Sequence, residues 1–418
     1  MPAAPRVPFK NPVVEWVDVR LPLFSLWRDR YAMMPVPRNL NGWWVSGALA
    51  LFTLAVMIVS GVFLAMHYTP TTAQAFASVE RTMREVNWGW LLRAVHMNGA
   101  SLFFAIVYAH ILRSVYYGSY KRPRELLWLL GVVLFLLMMA TAFMGSVLPW
   151  SQTGYWSATV VANLFRAIPF VGEPLVTWLI GGPEVGEATL RRFFALHYLL
   201  PFAMIGVAFL HVAAQHVAGA NNPLGIDPKS PQDTVPFHPR YTSRDLFGLA
   251  VFVLVFAAIV FFAPAAFVAP ASDIPADPMT TPDVIVPAWY FLPFFAMLRS
   301  VGDLVVPFTA IVLIPAQLGG VLALFGALLT LLLLPWLDRS PVRSAVFRPL
   351  YKKLFWLLVL DLALLGYVGA QEPEGLCRLL GRLATAYYFL HFLIFLPLLP
   401  RIEKPQPLPS SIAEAVRE

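Results

Sequence analysis

The 418-residue sequence contains little charge and almost no cysteine. Only 13% of its residues are charged, whereas 59% are hydrophobic and the mean hydropathy is +0.68. This composition excludes a soluble globular protein, in which about 25% of residues are charged. The single cysteine, Cys377, excludes a disulfide framework and a cysteine-rich metal site, so any metal ligands must be histidines or carboxylates.

Two further features are missing from the sequence. The basic opening MPAAPRVPFK is followed by NPVVEWVDVR rather than by an apolar core, so we expect no cleavable signal peptide. The net charge of +7 is spread among loops without forming a basic patch, which argues against a nucleic-acid partner.

Long apolar stretches predict an all-α membrane protein surrounded by lipid. A spanning helix needs about 20 apolar residues to cross about 30 Å of hydrocarbon. Eight stretches qualify as transmembrane helices: 43–66, 90–112, 126–148, 193–216, 245–269, 306–336, 354–369 and 384–400. Two more apolar pieces, 155–168 and 288–298, are interrupted by Pro or Gly and predict surface helices in the outer loops.

The distribution of basic residues orients these helices. The N-terminal arm, alternate loops and tail hold 21 of the 30 Lys and Arg residues, and the other four loops hold 9. Because basic residues accumulate on the cytoplasmic side, both termini should be cytoplasmic. The chain then divides into an N-terminal arm (1–42), a four-helix bundle (43–218), a C-terminal membrane region (219–400) and a tail (401–418).

Histidines recur at one interval in two of the predicted spans. His96 and His110 are fourteen residues apart in the second span, as are His197 and His211 in the fourth. Fourteen residues rise about 21 Å and return to within about 40° of the same helix face. Because both helices run inwards, we expect His96 to face His197 near the outer surface and His110 to face His211 near the inner one.

Glycines repeat at the same interval in the first and third spans, as Gly47 with Gly61 and Gly131 with Gly145. A glycine lets a bulky group approach the helix backbone. A lone intramembrane histidine is more often a pore, proton-relay or packing residue, and a lone glycine is usually a packing residue. The shared interval instead favours two b-type haems in a four-helix bundle, each with two axial histidines and with glycines beside the porphyrin planes.

Local motifs add a family resemblance. The stretches GVFLAMHYTP (61–70), GSVLPW (145–150) and PAWYFLPF (287–294), together with the histidine pattern, resemble cytochrome b of the quinol:cytochrome c oxidoreductases over about residues 20–400. The undivided chain and equal histidine intervals resemble the respiratory, bacterial type, which implies a location in the inner membrane.

The resemblance implies a function for the two haems. Quinol is oxidised near the outer face, and electrons pass through both haems to a quinone-reduction site near the inner face, contributing to proton translocation. It also implies ubiquinol and ubiquinone as substrates, a Rieske-type iron-sulfur protein and a c-type cytochrome subunit as partners, and a homodimeric complex.

The resemblance also implies a quinone-binding pocket near the inner face. His216 and Asp245 match its quinone-binding residues, and Arg244 stands where lysine is usual, which changes the donor geometry. Arg93 and Arg113 lie three residues before His96 and three residues after His110, within reach of haem propionates. A snorkelling arginine that anchors a helix end is the competing interpretation.

The outer quinol pocket departs from the resemblance. Pro287, Trp289 and Tyr290 match the Pro-Glu-Trp-Tyr motif, but Ala288 replaces its proton-accepting glutamate. Three further family positions carry Ser146 and Phe295 for tyrosines and Ser157 for glycine. We hypothesise slower quinol oxidation in a specialised paralogue, or a different proton acceptor such as Asp283 or ordered water. Alternatively, the glutamate is dispensable.

Two rival classes and one isolated acid complete the sequence-based predictions. A transporter would show broken helices rather than matched His and Gly pairs, and a formate dehydrogenase or hydrogenase anchor would lack the PAWY-type loop. Asp361, within the seventh predicted span, is a functional suspect by position. We expect it instead to be a buried, hydrogen-bonded residue that faces a neighbouring helix.

Overall fold

The computed structural model describes residues 8–282, 285–306 and 311–416. The described chain is mainly helical, with two short antiparallel strand pairs. The helices are α1 Pro12–Arg20, α2 Leu23–Trp27, α3 Ser46–Ala65, α4 Ala75–Glu85, α5 Gly89–Tyr116, α6 Glu125–Val147, α7 Gln152–Arg166, α8 Gly172–Ile180, α9 Glu187–Ala218, α10 Arg240–Phe262, α11 Leu292–Ser300, α12 Ala316–Leu337, α13 Pro349–Gly369, α14 Gly375–Leu390, α15 Leu396–Ile402 and α16 Ile412–Ala415. The strands are β1 Pro35–Pro37, β2 Thr234–Pro236, β3 Leu304–Val305 and β4 Val312–Ile314.

Seven helical segments of the described chain are long and apolar enough to cross a membrane, which makes the protein a multi-pass membrane protein. They are Gly42–Ala65, Gly89–Tyr116, Glu125–Val147, Glu187–Ala218, Arg240–Phe262, Ala316–Leu337 and Gly375–Ile402. The predicted seventh span corresponds to α13, which is 21 residues long but contains Lys352, Lys353 and Asp361. The predicted total of eight spans is therefore not confirmed.

Several predicted helix boundaries are wrong, including the start of the eighth predicted span, which lies at Gly375 rather than 384. The fifth helix ends at Phe262 rather than near 269, because Pro264 cannot donate a backbone hydrogen bond to continue it. The sixth begins at Ala316 rather than 306, because β3 and β4 form an antiparallel pair in the preceding apolar stretch. Apolar content alone did not distinguish this hairpin from the start of a span.

The predicted surface pieces are helical. The first is α7, and the second is a 3₁₀ turn, Trp289–Phe291, that continues into α11. Helices α4 and α8 in the outer loops were not predicted, because α4 is polar on one side and α8 is short.

The helices that carry the repeated residues pack in two pairs. Helix α3 lies along α5 and helix α6 lies along α9, so each glycine-bearing helix contacts a histidine-bearing one. Strand β1 of the N-terminal arm pairs with β2, and Val36 lies opposite Val235. This ribbon joins the N-terminal arm to the loop between α9 and α10.

A cluster of buried charges joins the loops at one end of the C-terminal helices. Asp338 lies 2.9 Å from Lys121 Nζ and 2.7 Å from Arg348 Nη1, and it accepts a hydrogen bond from the Tyr120 hydroxyl at 2.5 Å. Arg348 Nε also binds Glu403 in the tail at 3.1 Å. Two cations and two carboxylates therefore neutralise each other away from water, as buried charges require.

Asp361 differs from the sequence-based expectation. The side chain is buried and lies on α13, as expected, but its Oδ2 atom has no hydrogen-bond partner among the described residues. The prediction that it is hydrogen-bonded is wrong for that oxygen.

Candidate functional site

The four repeated histidines meet as two pairs. The ring centroids of His96 and His197 are 6.1 Å apart, and those of His110 and His211 are 6.4 Å apart. Two imidazoles that share one metal ion, with metal–nitrogen bonds of about 2 Å, require ring centroids about 6 Å apart. The ring separations of both pairs therefore fit an iron ion between them.

Hydrogen bonds orient the rings of the outer pair. The Ser60 hydroxyl donates to the Val56 carbonyl at 2.7 Å, so its oxygen is left to accept from Nδ1 of His96, 2.9 Å away. Nδ1 of His197 lies 2.8 Å from the Thr141 carbonyl, which can only accept. Both rings therefore carry the proton on Nδ1 and leave Nε2 as the free ligand nitrogen.

The inner pair has a similar arrangement at His110. The Ser46 hydroxyl donates to the Trp43 carbonyl at 2.9 Å and lies 3.1 Å from His110 Nδ1. Among the described residues, no hydrogen bond of normal geometry fixes Nδ1 of His211. Ring orientation is thus better defined at three of the four histidines.

Each repeated glycine contacts one histidine ring. A β-carbon placed on Gly145 would lie 2.5 Å from Cε1 of His197, and one on Gly61 would lie 3.0 Å from Cε1 of His96. The corresponding distances are 3.2 Å from Gly131 to His211 and 3.6 Å from Gly47 to His110, in both cases to Cε1. The glycines therefore make room for the imidazoles themselves. Their expected role beside porphyrin planes stays a prediction.

Arg113 is placed to meet an anion beside the inner pair. Its Nη2 atom lies 3.3 Å from His110 Nδ1, although a guanidinium only donates and that nitrogen already faces Ser46. Its buried Nε atom has no partner within the part of the chain that the structure describes, and its guanidinium carbon lies 4.8 Å from the centre of the Trp44 ring. A carboxylate at this position would satisfy Nε and draw the guanidinium away from the imidazole.

Arg93, near the outer pair, turns towards α4. It donates a hydrogen bond to the thioether sulfur of Met83, which is a weak acceptor. The acidic residues whose charges act on it are Glu80 and Asp273. The structure therefore gives Arg93 no strong partner that would compete with a bound anion.

The residues predicted for the inner quinone pocket border the N-terminal arm. His216 donates through Nδ1 to the Val212 carbonyl, 2.8 Å away, while its buried Nε2 has no hydrogen-bond partner in the described chain. The ring of Tyr31 packs edge-on against His216, with centroids 4.9 Å apart. Arg244, at the start of α10, donates to the Leu40 carbonyl.

Asp245 follows Arg244 on α10, and its side chain is partly buried. No hydrogen bond between Asp245 and His216 is present in the described part of the chain. His216 contacts the arm through Tyr31, and Arg244, the neighbour of Asp245, bonds to the arm at Leu40.

The outer loop is anchored on α5. The ring of Tyr290 is buried and stacks on Phe104, with centroids 3.9 Å apart and planes 1° from parallel. The Tyr108 hydroxyl donates to the Tyr290 carbonyl, and Trp289 packs edge-on against Tyr108. Pro287 and Ala288 precede this anchor and are partly buried.

The four divergent positions supply no obvious proton acceptor. Ala288 has no ionisable group, and the Ser146 hydroxyl donates to the Phe143 carbonyl of its own helix at 2.7 Å. The Arg299 guanidinium carbon lies 4.2 Å from the centre of the Phe295 ring. Ser157 is partly buried on α7. Asp283, the suggested replacement acceptor, lies outside the described residues.

Family comparisons match most of the chain. A family model described as cytochrome b/b6/petB matches residues 31–219, and one described as cytochrome b(C-terminal)/b6/petD matches residues 275–389. Cytochrome b of Rhodospirillum rubrum is 54% identical over 408 residues, which cover 98% of each chain. The chain belongs to the cytochrome b family.

Other members of the cytochrome b family agree with this assignment. A cytochrome b/c1 protein of Bradyrhizobium diazoefficiens is 53% identical over 97% of this chain and 57% of its own length. A solved structure titled hyperthermophilic respiratory complex III contains a similar chain, with a TM-score of 0.85, 35% identity, and coverage of 93% of this chain and 99% of that one. The family resemblance predicted from the sequence is confirmed, and the transporter and the dehydrogenase anchor have no support.

Sequence reasoning missed several residues that the structure adds to this cytochrome b site. Ser46 and Ser60 orient two histidines, and Tyr31, Phe104 and Tyr108 contact the two candidate quinone regions. A signal for the serines was present, because the doublets Ser46-Gly47 and Ser60-Gly61 repeat at the interval of the histidines. The aromatic residues gave no such signal.

Proposed function

We propose that this member of the cytochrome b family is the di-haem core subunit of a respiratory quinol:cytochrome c oxidoreductase in a bacterial inner membrane. The observation that carries the proposal is the pair of imidazole sandwiches, His96 with His197 and His110 with His211, each with the ring separation that a shared iron requires. The proposal includes α13 as an eighth span and both termini on the cytoplasmic side.

Each pair of histidines would hold one b-type haem through Nε2, and Arg93 and Arg113 would bind the propionates of the outer and inner haem respectively. When bound, haem iron supplies one-electron transfer at two depths in the membrane. The protein's own contribution is to fix ring tautomers through Ser46, Ser60 and Thr141. Gly47, Gly61, Gly131 and Gly145 keep the helix backbones close to the rings.

The inner pocket would bind ubiquinone between α9, α10 and the arm. Because His216 Nδ1 is committed to a backbone carbonyl, Nε2 is the nitrogen that can bond to a quinone oxygen and move its proton. Asp245 would serve a second quinone oxygen, and Arg244 would stabilise negative charge as it develops. Tyr31 shields this side of the pocket.

The outer pocket would bind ubiquinol where Pro287, Trp289 and Tyr290 pass α5. The Phe104 stack and the Tyr108 hydrogen bond hold this loop in place. Quinol oxidation there would deliver electrons to a Rieske-type iron-sulfur protein and to the outer haem. The same complex would contain a c-type cytochrome subunit, translocate protons and assemble as a homodimer.

Haem content tests the proposal. The purified complex should show a reduced-minus-oxidised spectrum of b-type haem, with two centres in a potentiometric titration. His96→Leu should remove the outer centre and His110→Leu the inner one, whereas His67→Asn, an exposed loop control, should retain both. A colourless preparation, or two intact centres in both leucine variants, would contradict the proposal.

A second candidate is a paralogue whose outer-site quinol oxidation is slow or uses another proton acceptor. The observation in its favour is that Ala288, Ser146 and Phe295 offer no free acid or base. Ala288→Glu should then speed haem reduction by ubiquinol, measured with the inner site blocked by an antimycin-type inhibitor. The gain should be about a hundredfold, the low end for a general base. Ala288→Gln is the matched control, and an equal rate in all three proteins would show that Ala288 is not limiting.

A further inference from the structure

Asp361 is a buried acid that the proposed electron-transfer function does not use. It lies on α13, twelve residues beyond Pro349, which places it about 18 Å along the helix. Its side chain is 7% exposed, and Oδ2 has no hydrogen-bond partner in the described part of the chain.

Two other buried acids are neutralised by cations, and two more, Asp18 and Asp233, accept backbone hydrogen bonds. Asp338 faces Lys121 and Arg348, and Glu403 binds Arg348 and accepts from the backbone N–H groups of two residues, Leu350 and Tyr351. Asp361 has no ion pair with any described residue. An unpaired carboxylate in such surroundings costs several kcal/mol, whereas the neutral acid avoids most of that cost.

The Thr385 hydroxyl on α14 lies at the same height along the helix pair as Asp361 on α13. Helix α14 runs antiparallel to α13: the Tyr387 hydroxyl donates to the Leu354 carbonyl at 3.1 Å, and a β-carbon on Gly381 would lie 3.2 Å from Val368. These two contacts place Asp361 opposite the turn that contains Thr385. The Thr385 hydroxyl is also buried without a hydrogen-bond partner among the described residues, although a helical threonine can usually donate to a carbonyl one turn back.

The remaining polar groups near Asp361 are neutral hydroxyls and one imidazole. The hydroxyls of Tyr387 and Tyr388 on α14 lie within electrostatic range of the Asp361 carboxyl group. The Tyr388 hydroxyl is already bonded to the Ala327 carbonyl, 2.9 Å away, and to Thr330 of α12. The Tyr387 hydroxyl lies 3.3 Å from Nδ1 of His391, whose Nε2 is buried without a partner.

Tyr387 and His391 continue the polar groups towards the charged cluster. Leu354, whose carbonyl binds Tyr387, lies two helical turns from Asp361 on the side of Pro349, or about 10 Å. His391 in turn interacts electrostatically with Asp338 in that cluster. His391, Tyr387 and Asp361 therefore form a discontinuous row of polar side chains from the buried charge cluster to the middle of α13.

We propose that Asp361 is a proton-holding site, in which a neutral carboxyl group binds an internal water molecule shared with Thr385. Two buried polar groups that face one gap between helices are the usual setting for a structural water. The carboxyl donates its proton to the water, which satisfies Oδ2, and the water donates to Thr385. This proton exchanges with the cytoplasmic solvent along a route that passes Tyr387 and His391.

Infrared spectroscopy of the intact complex, isotopically labelled at the aspartate carboxyl carbon, tests the site. At neutral pH the spectrum should contain the carbonyl stretch of a protonated aspartic acid, and Asp361→Asn should remove it. Thr385→Val should shift the band to higher frequency because a hydrogen bond is lost. Glu372→Gln, on an exposed loop, should leave the band unchanged, and Tyr387→Phe should slow its shift on transfer to deuterium oxide.

Three results would overturn the proposal. The first is an identical band in the wild type and in Asp361→Asn, and the second is the absence of any protonated-aspartate band. The third is a Thr385→Val spectrum that matches the wild type, which would remove the shared water. If Asp361→Asn unfolds, the label and Thr385→Val still decide. None of these readouts depends on quinol oxidation, so failure here is separable from failure of the proposed function.

Discussion

The imidazole rings of the two pairs are held against glycines at four different distances. The closest approach is at Gly145, where an added β-carbon would lie 2.5 Å from the His197 ring, and the loosest is at Gly47, at 3.6 Å from His110. Because a helix backbone cannot give way as a flexible side chain does, the ring must move when the gap is filled. The four glycines should therefore respond unequally to the same substitution.

Gly145→Ala should displace His197 and cost about 1–3 kcal/mol, the range for overpacking a filled site. Gly61→Ala and Gly131→Ala should have intermediate effects, and Gly47→Ala the smallest. Haem content per protein and the potentials of the two centres measure the effect. Gly206→Ala is the matched control on α9, since a β-carbon there meets nothing within 4 Å. Equal haem loss at all four glycines would contradict the steric explanation.

The pairing of the histidines was predictable because helix geometry converts a fourteen-residue interval into one face at two depths. The hydrogen bonds that orient the rings were not predictable, because a serine next to a glycine says nothing about where its hydroxyl points. Only the packed helices show that Ser60 donates to Val56 and so must accept from His96.

At the level of elements, the C-terminal tail is tied to the loop between α9 and α10. Asp233 accepts hydrogen bonds from the backbone N–H groups of Lys229 and Ser230, and from that of Ala413 in α16 at 2.7 Å. These donors, with Lys229 the largest contributor, lower the pKa of the Asp233 carboxyl. The contribution to stability is therefore present at neutral pH and is lost as pH falls below the range of an ordinary carboxyl.

Asp233→Ala should release α16 from this loop, because the Ala413 N–H loses its charged acceptor, worth about 1.5–3 kcal/mol. Hydrogen exchange at Ile412 and Ala413 should become faster, while exchange in α9 stays the same. Asp277→Ala removes a similar carboxylate that accepts from Met279 and Thr280 in the outer loop, so it serves as the control. Unchanged protection of the tail would contradict the role of Asp233.

The length of the apolar stretches predicted that the long helices exist, but it predicted the residues at which they begin and end less accurately. The stretch after residue 304 is as apolar as a span, yet β3 and β4 pair there before Pro315 starts α12. Period and composition do not separate such an apolar strand pair from a helix, whereas the observed strand pairing does.

For the whole molecule, the buried cluster of Lys121, Asp338, Arg348 and Glu403 connects segments that are distant in sequence. It joins the loop after α5, the loop between α12 and α13, and the tail. Burial lowers the pKa of Lys121 to about 8, although Asp338 opposes the shift. None of these contacts was predicted, because charged residues in loops show no pairing pattern in one sequence.

The lowered pKa of Lys121 has a definite sign for stability. Between about 8 and 10.5 the unfolded chain binds more protons at this lysine than the folded chain, so stability should rise with pH. The slope should be at most about 1.4 kcal/mol per pH unit. Thermal denaturation from pH 8 to about 9.5, below the tyrosine range, should show the rise in the wild type and its loss in Lys121→Met. The same pH dependence in both proteins would rule out Lys121 as its source.

The antiparallel pairing of β1 with β2 sets an order of events during biosynthesis. All four paired histidines have been synthesised once residue 211 is added, but the partner of Val36 is Val235, which is added later. Until then the arm cannot close over the neighbouring pocket. The nascent chain therefore passes through a stage in which all four histidines have been synthesised and the ribbon between the arm and the loop after α9 has not yet formed.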